Sequence, residues 1–235
     1  MNVIITGASS GIGRETALSL ARKGHALVLA ARRDNLISEL AMECLKLGAK
    51  AAIPVPCDVT QPSDIQRIVD AIPGLPNGET LVLINNAGYA NFETFSGSPI
   101  EAQLDQIEVN LFGTMRVTKA ILPFMLEAKA GKIINVSSIA STVEFVGGSG
   151  YAVSKAGMSK FGRILAKEVR DQGIAVTNVH PGATDTEIWD HVGGGPDPGK
   201  MMPASAIADA LVWVTELPFD RTVEEITLMP PLGFV

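Results

Sequence analysis

Seven short runs of aliphatic and β-branched residues, at 3–6, 26–30, 51–55, 81–85, 132–136, 175–179 and 225–228, constrain this chain more than any other feature. Most are apolar at both alternating positions, so as strands they must be covered on both faces, the condition of a parallel sheet held between two layers of helices. Helix-length stretches separate the runs, as parallel crossovers require. The expected class is therefore α/β: a doubly wound, seven-stranded parallel sheet with helices on both faces. Composition agrees, because 23 glycines and only 5% aromatic residues suit many tight strand-to-helix turns better than a sandwich or barrel. With 235 residues, 46% of them hydrophobic, the chain can bury one large core, and a single domain over 1–235 leaves no room for a separate substrate domain.

Helix ends are legible between the strands. Pro62 and Pro99 fall at first-turn positions, Gly24 and Gly48 follow last turns, and Gly173 closes a long helix. The longest helices are expected at about 99–129 and 150–172, and no repeat, low-complexity tract or linker interrupts the pattern. One insertion stands out at 187–203, where Gly193-Gly194-Gly195-Pro196-Asp197-Pro198-Gly199 cannot be helix or strand for most of its length. It is expected to be a flexible surface loop at the substrate site.

A net charge of −6 without a long Lys/Arg run excludes a basic face, so neither nucleic acid nor an anionic membrane is an expected partner. The two cysteines, Cys44 and Cys57, and the three histidines, His25, His180 and His191, show no metal-ligand spacing, and no metal site is expected. No apolar run approaches the roughly 20 residues that span a bilayer, and the start Met1-Asn2-Val3-Ile4-Ile5-Thr6-Gly7 lacks a signal-peptide pattern. The expectation is a soluble, cytoplasmic protein.

Chemistry enters directly after the first strand, at Thr6-Gly7-Ala8-Ser9-Ser10-Gly11-Ile12-Gly13, ahead of an amphipathic helix running to Lys23. Strand, glycine loop and helix is the context of a Rossmann-type phosphate site: the glycines let backbone approach a pyrophosphate, and free N–H groups at the helix start favour its charge. The spacing is Gly-x3-Gly-x-Gly, against the commoner Gly-x-Gly-x2-Gly, and such a loop can also be merely structural. About 20 residues on, a fold preferring NAD places an acid for the ribose hydroxyls. Here the second strand ends Leu29-Ala30-Ala31-Arg32-Arg33. Guanidinium groups give bidentate, charged bonds to phosphate, so the expected cofactor is NADP(H), with Arg32 the first candidate for its 2′-phosphate and Arg33 the second; otherwise the arginines solvate a strand end.

Several further motifs follow in order: Cys57-Asp58-Val59, Asn85-Asn86-Ala87-Gly88, Asn110 within a long helix, Ser137-Ser138, Tyr151-Ala152-Val153-Ser154-Lys155, and Pro181-Gly182 followed by Thr184 and Thr186. Together with the Gly7 loop, they make the chain resemble the short-chain dehydrogenase/reductase family, in its one-domain main branch, over essentially its whole length. The resemblance implies cofactor contacts from Gly7, Ser9, Ser10, Gly11, Ile12, Gly13, Asp58, Val59, Asn86, Ala87, Gly88, Pro181, Gly182, Thr184 and Thr186. Asp58 and Val59 would flank the adenine, Asn86 and Ala87 line the wall beneath the adenosine, and Thr186 reach the nicotinamide amide. It also implies a catalytic group of Asn110, Ser138, Tyr151 and Lys155, with Asn110 positioning a water that links Lys155 to solvent. Ser138 is preferred to Ser137 because the family's usual interval to the tyrosine is thirteen residues. Dimers or tetramers through the two long helices are implied as well.

The Tyr-x3-Lys spacing has its own rationale. Tyr151 and Lys155 are i and i+4, so on a helix they share one face, and Met158, Gly162, Leu165 and Val169 continue the stripe that seats that helix on the sheet. A free phenol titrates near ~10. An ammonium at about 4 Å, in an effective dielectric near 20, is worth roughly 4 kcal/mol, or about three pKa units, before desolvation subtracts. Hydride from NADPH would then reach a carbonyl carbon while Tyr151, which with Lys155 also contacts cofactor, protonates the oxygen and Ser138 hydrogen-bonds it. His180 and Cys57 are read as structural residues, and Trp189 and His191 either touch substrate or decorate the loop. Ile139, Val143, Phe145 and Val146 point to an apolar pocket for a small-molecule carbonyl or alcohol. The alternatives are a 3-oxoacyl-carrier-protein reductase, for which Lys200 is the one basic handle of the loop, a sepiapterin-like or diketone reductase, and a non-catalytic NADP-sensing regulator. The tail from Met229 to Val235 either closes a neighbouring subunit's pocket or frays.

Overall fold

All seven runs form strands of one parallel sheet. The structure, a computed structural model, describes residues 1–190 and 195–233. The strands are β1 (Asn2–Thr6), β2 (Ala26–Ala31), β3 (Ala51–Pro56), β4 (Leu81–Asn85), β5 (Gly131–Val136), β6 (Ile174–Pro181) and, after two short strands described below, β9 (Glu225–Leu228). Their spatial order is β3-β2-β1-β4-β5-β6-β9, so the winding reverses between β1 and β4, and ligands bind at the C-terminal strand edge beside such a reversal.

Strand alternation produces two cores, which is why most of the runs are apolar at both alternating positions. Val3, Ile5, Leu27, Leu29, Ile84 and Ile134 face one side, covered by α1 (Gly11–Arg22), α2 (Asp34–Leu47) and α7 (Ala204–Glu216). Ile4, Val28, Leu83, Ile133 and Val176 face the other, covered by α3 (Pro62–Ala71), α5 (Thr114–Ala128) and α6 (Ser149–Val169). Pro54 and Pro56 are tolerated because β3 is an edge strand.

A buried amide ladder ties the strand ends to the helices. Asn85 donates to Asn135 Oδ1 and Thr118 Oγ1 (both 3.0 Å), Asn135 donates to Asn178 Oδ1 (3.1 Å), and Asn178 donates to the Ser159 carbonyl (3.1 Å). It spans β4, β5 and β6, where these asparagines are register partners, and fixes α5 and α6 above them.

One expectation is corrected, and two segments gain detail. The long helix at 99–129 is not uniform: α4 (Ile100–Ile107) passes through a π-helical turn (Glu108–Gly113) before α5, and Pro99 precedes the first turn instead of lying in it. Within the segment at 187–203 stand single 3-10 turns at Glu187–Trp189 and Pro198–Lys200, and β8 (Met202–Pro203) pairs with β7 (Thr184–Asp185). Residues 191–194, including His191 and Gly193-Gly194 of the expected flexible loop, lie outside the described residues, as do Phe234 and Val235. Just before the tail, Gly182 N–H donates to the Leu228 carbonyl (2.7 Å), and Met229 and Gly233 line the chain's own cleft. Among the described residues no helix is long and apolar enough to cross a membrane.

Candidate active site

The C-terminal strand ends open into a cleft of about 1230 Å³. Its outer part is built on the glycine loop. Gly13 packs so tightly that a Cβ there would lie 2.3 Å from the Gly7 carbonyl oxygen, so this turn excludes any side chain at 13. Asn86 stitches β4 to the loop, its amide donating to the Thr6 and Gly7 carbonyls (both 3.0 Å), while Thr6 Oγ1 accepts from the N–H groups of Asn86 and Ala87 (both 3.0 Å). The start of α1 carries no acid in its first turn and no side-chain cap. Its N–H groups and positive dipole end therefore face the cleft without an anion in that first turn.

Beside this start lie the two arginines. Arg33 bonds Ser9 Oγ (3.0 and 3.2 Å), Ser10 Oγ (2.6 Å) and the Glu187 carboxylate (2.8 Å), whereas Arg32 is exposed and makes no side-chain bond among the described residues. The Glu187 pair lays the segment after β6 against the glycine loop, where a Cβ at Gly11 would lie 3.1 Å from Thr186 Cγ2. Asp58 also lines the cleft, but its Oδ1 is used locally by Thr60 N–H (2.9 Å) and Oγ1 (2.8 Å).

At the inner end Ser138, Tyr151 and Lys155 converge. Ser138 leaves β5, its Oγ accepting Ala140 N–H at 3.1 Å, and it hydrogen-bonds the Tyr151 hydroxyl. Ser137 turns away to Ser159 Oγ (2.8 Å) and the Lys155 carbonyl (3.1 Å). Lys155 Nζ donates to the Val136 carbonyl (2.9 Å) and sits 5.7 Å from the Tyr151 ring centre. The expected downward pull on the phenol is not what this arrangement gives. Burial pushes the Tyr151 pKa up, only partly offset by the Ser138 bond, and burial pushes Lys155 down to about 8.

The structure brings every expected cofactor residue to the cleft wall except Gly13, which closes the loop behind Gly7. Asn110 is also set back. It is fully buried in the π-helical turn, with Oδ1 accepting Tyr89 N–H (2.8 Å) and Nδ2 donating to the Tyr89 carbonyl and Ser154 Oγ (both 2.9 Å). Its amide thus fixes the wall loop against α6. His180 is buried against Ser141 Oγ (2.9 Å), and burial raises Cys57 to about 12, so neither is poised for chemistry.

Three residues escape the sequence reading, and a fourth, Glu187, figures in it only as the start of a loop. Gln103 accepts Gly150 N–H (2.7 Å), just ahead of Tyr151, and Gln106 accepts Asn91 N–H (2.9 Å), so two buried glutamines of α4 pin the start of α6 and the loop after β4. Phe92 and Glu187 line the cleft. The only signal for Phe92 is its place shortly after a strand's C-terminal end, and the glutamines carry none, since their spacing looks like an ordinary polar helix face.

The family model for short chain dehydrogenase matches residues 1–195, and this chain belongs to that family. An NADP-dependent 3-hydroxy acid dehydrogenase of Schizosaccharomyces pombe is 38% identical over 190 residues, 79% of this chain and 72% of that protein. Among solved structures, the Sphingobium yanoikuyae short-chain dehydrogenase in complex with NADPH is 33% identical with a TM-score of 0.83, over 98% of this chain and 88% of that one. The Thermococcus sibiricus alcohol dehydrogenase complexed with 5-hydroxy-NADP is 29% identical with a TM-score of 0.87, over 97% and 95%. The chain is thus an oxidoreductase of the short-chain dehydrogenase family, with a Rossmann-like sheet.

Proposed function

We propose that this protein is an NADP(H)-dependent oxidoreductase that interconverts a small-molecule carbonyl and a secondary alcohol, with Tyr151 exchanging the proton. The observation that carries the reading is the convergence of Ser138, Tyr151 and Lys155 at the inner end of a cleft whose outer end holds the glycine loop and two arginines. That cleft suits a dinucleotide. The start of α1, with no acid in its first turn, fits a pyrophosphate, and Arg32, without a side-chain partner among the described residues, fits a ribose phosphate, with Arg33 beside it. Asp58, Val59, Asn86, Ala87 and Gly88 would form the adenosine wall, and Pro181, Gly182, Thr184 and Thr186 the nicotinamide end. The printed names of the relative and of both solved structures, each naming an NADP form, support the same cofactor.

When bound, the reduced nicotinamide supplies a hydride to the carbonyl carbon. The chain's own groups handle the oxygen. Ser138 Oγ donates to it as negative charge develops, and Tyr151 gives up its hydroxyl proton to form the alcohol. The raised phenol pKa keeps that proton in place through neutral pH, which favours the donor role. Lys155, charged below about pH 8, stabilises the phenolate left behind. Asn110, Gln103 and Gln106 hold these groups without touching the reacting atoms.

A homodimer or homotetramer in the cytoplasm completes the reading. Exposed apolar residues along α4, the π-helical turn, α5 and α6, among them Leu104, Phe112, Met115, Val153 and Ile164, support the first, and two buried unpaired thiols suit a reducing compartment. The test is oxidation of NADPH and NADH over a panel of ketones, aldehydes and acyl thioesters. Turnover with NADPH preferred by about tenfold or more, the worth of one charged phosphate contact, is expected. A preference for NADH contradicts the assignment of Arg32, and activity confined to acyl-carrier substrates favours the reductase of that class.

A further inference from the structure

Three loops leaving the sheet edge each send an aromatic ring to the inner end of the cleft: Phe92 after β4, Phe145 after β5 and Trp189 after β6. Phe92 is the hub. Its ring centre lies 5.3 Å from that of Tyr151 at 87°, 5.5 Å from Phe145 at 77° and 5.4 Å from Trp189 at 44°, the edge and tilted geometries that aromatic rings prefer. The rings are seated, not loosely gathered. Trp189 Nε1 donates to the Thr184 carbonyl at 2.9 Å, and a Cβ at Gly148 would lie 2.7 Å from the Phe145 ring, so that ring folds over the start of α6 only because residue 148 has no side chain. Ala90, Ala140 and Ile188 complete the apolar surround of Tyr151.

The positive charge near these rings is already engaged. The cations lining the cleft, among the described residues, are Arg32, Arg33 and Lys155. Arg33 is tied to the glycine loop, and Lys155 is held by the Val136 carbonyl and serves Tyr151 in the reading above. The ionisable group adjoining Phe145 is the exposed carboxylate of Glu144, which also lines the cleft. A substrate carboxylate packed on these rings would lose water, meet among the described residues no cation other than Lys155, which the Val136 carbonyl already engages, and be repelled by Glu144.

We infer that the carbonyl substrate is neutral and carries a flat, aryl-type substituent packed on Phe92, and that free oxo acids are poor substrates, unlike what the printed name of the fission-yeast relative says of that protein. The inference rests on the oxidoreductase reading and adds the substrate class. Phe92 is then the specificity-determining residue, because it touches both Tyr151 and the place where the substituent lies.

Three matched probes test it with NADPH: ethyl benzoylacetate, benzoylacetate as the free acid, and ethyl acetoacetate. The aryl ester is expected to exceed both others in kcat/KM by about tenfold or more, a modest fraction of what burying a phenyl ring or stranding a carboxylate is worth. Phe92→Ala removes the preference for the aryl ester over ethyl acetoacetate. Glu144→Lys, at an exposed position where folding is not at stake, raises kcat/KM for the free acid. Turnover in which the free acid equals or exceeds its ester, or ethyl acetoacetate equals the aryl ester, overturns this inference and leaves the oxidoreductase reading standing. Absence of turnover with all three, although NADPH binds, overturns both.

Discussion

Burial acts in opposite directions on the two titrating groups at the inner end of the cleft, raising the Tyr151 phenol and lowering the Lys155 ammonium to about 8. The second shift is also a statement about stability. Between about pH 8 and its ordinary value of 10.5, Lys155 binds fewer protons in the native than in the unfolded chain, so stability rises with pH across that window. Below pH 8 the native state carries a buried charge at a cost on the order of 3 kcal/mol, from about 1.4 kcal/mol per unit. Lys155→Met is therefore expected to be more stable than the wild type at pH 7, by about 2 kcal/mol once the lost bond to Val136 is subtracted. The advantage shrinks as the pH approaches 10.5. Urea unfolding of both proteins at several pH values measures it, and a difference independent of pH contradicts the assignment of the shift. Chemistry at the other buried titrating side chains is suppressed: thiols raised to about 11 at Cys44 and about 12 at Cys57 are expected to resist alkylation in the folded protein and react only after denaturation.

Elements are held in register by polar groups that hydrophobic patterning does not reveal. Asn135 sits at the centre of the amide ladder, fully buried, with a donor and an acceptor both in use. Asn135→Leu strands the amides of Asn85 and Asn178 and is expected to cost about 2 to 4 kcal/mol, read as a lower urea midpoint with an unchanged m-value. A milder effect belongs to the segment after β6, where Glu187 occupies Arg33 at 2.8 Å. Both partners are exposed, so the pair is worth at most about 1 kcal/mol, and Glu187→Gln is expected to tighten NADPH binding up to about fivefold while leaving NADH unaffected. Equal effects on the two dinucleotides, measured by fluorescence titration, contradict competition at the phosphate.

These two cases show why the sequence was readable unevenly. The central strands were legible because burial on both faces leaves a nearly continuous apolar run, the edge strand 225–228 by its alternating Ile226 and Leu228, and Tyr151 with Lys155 because a helix puts i and i+4 on one face. The pairing of Thr184–Asp185 with Met202–Pro203 was not, since two residues per strand carry no period. Nor was the π-helical turn, whose extra residue leaves an apolar pattern nearly undisturbed, or Gln103, whose role depends on α4 lying beside the start of α6. The direction of the Tyr151 shift depends on burial, which no local spacing reports.

On the scale of the whole molecule, the winding reversal at β1 and β4 places loops from both halves of the sheet around one cleft, so cofactor and substrate ends share a single wall. Ligation by NADPH is accordingly expected to stabilise the entire fold, by about 2.7 kcal/mol at a hundred times its Kd. The central claim is that Tyr151 carries the proton in a cleft that binds NADP(H) without needing that hydroxyl. Its most direct measurement is Tyr151→Phe, assayed for NADPH binding by fluorescence titration and for carbonyl turnover on the best substrate of the panel. The account predicts NADPH affinity within about twofold of the wild type and a rate reduced by about 100-fold or more, the scale of losing a positioned acid. A variant that turns over at the wild-type rate contradicts it.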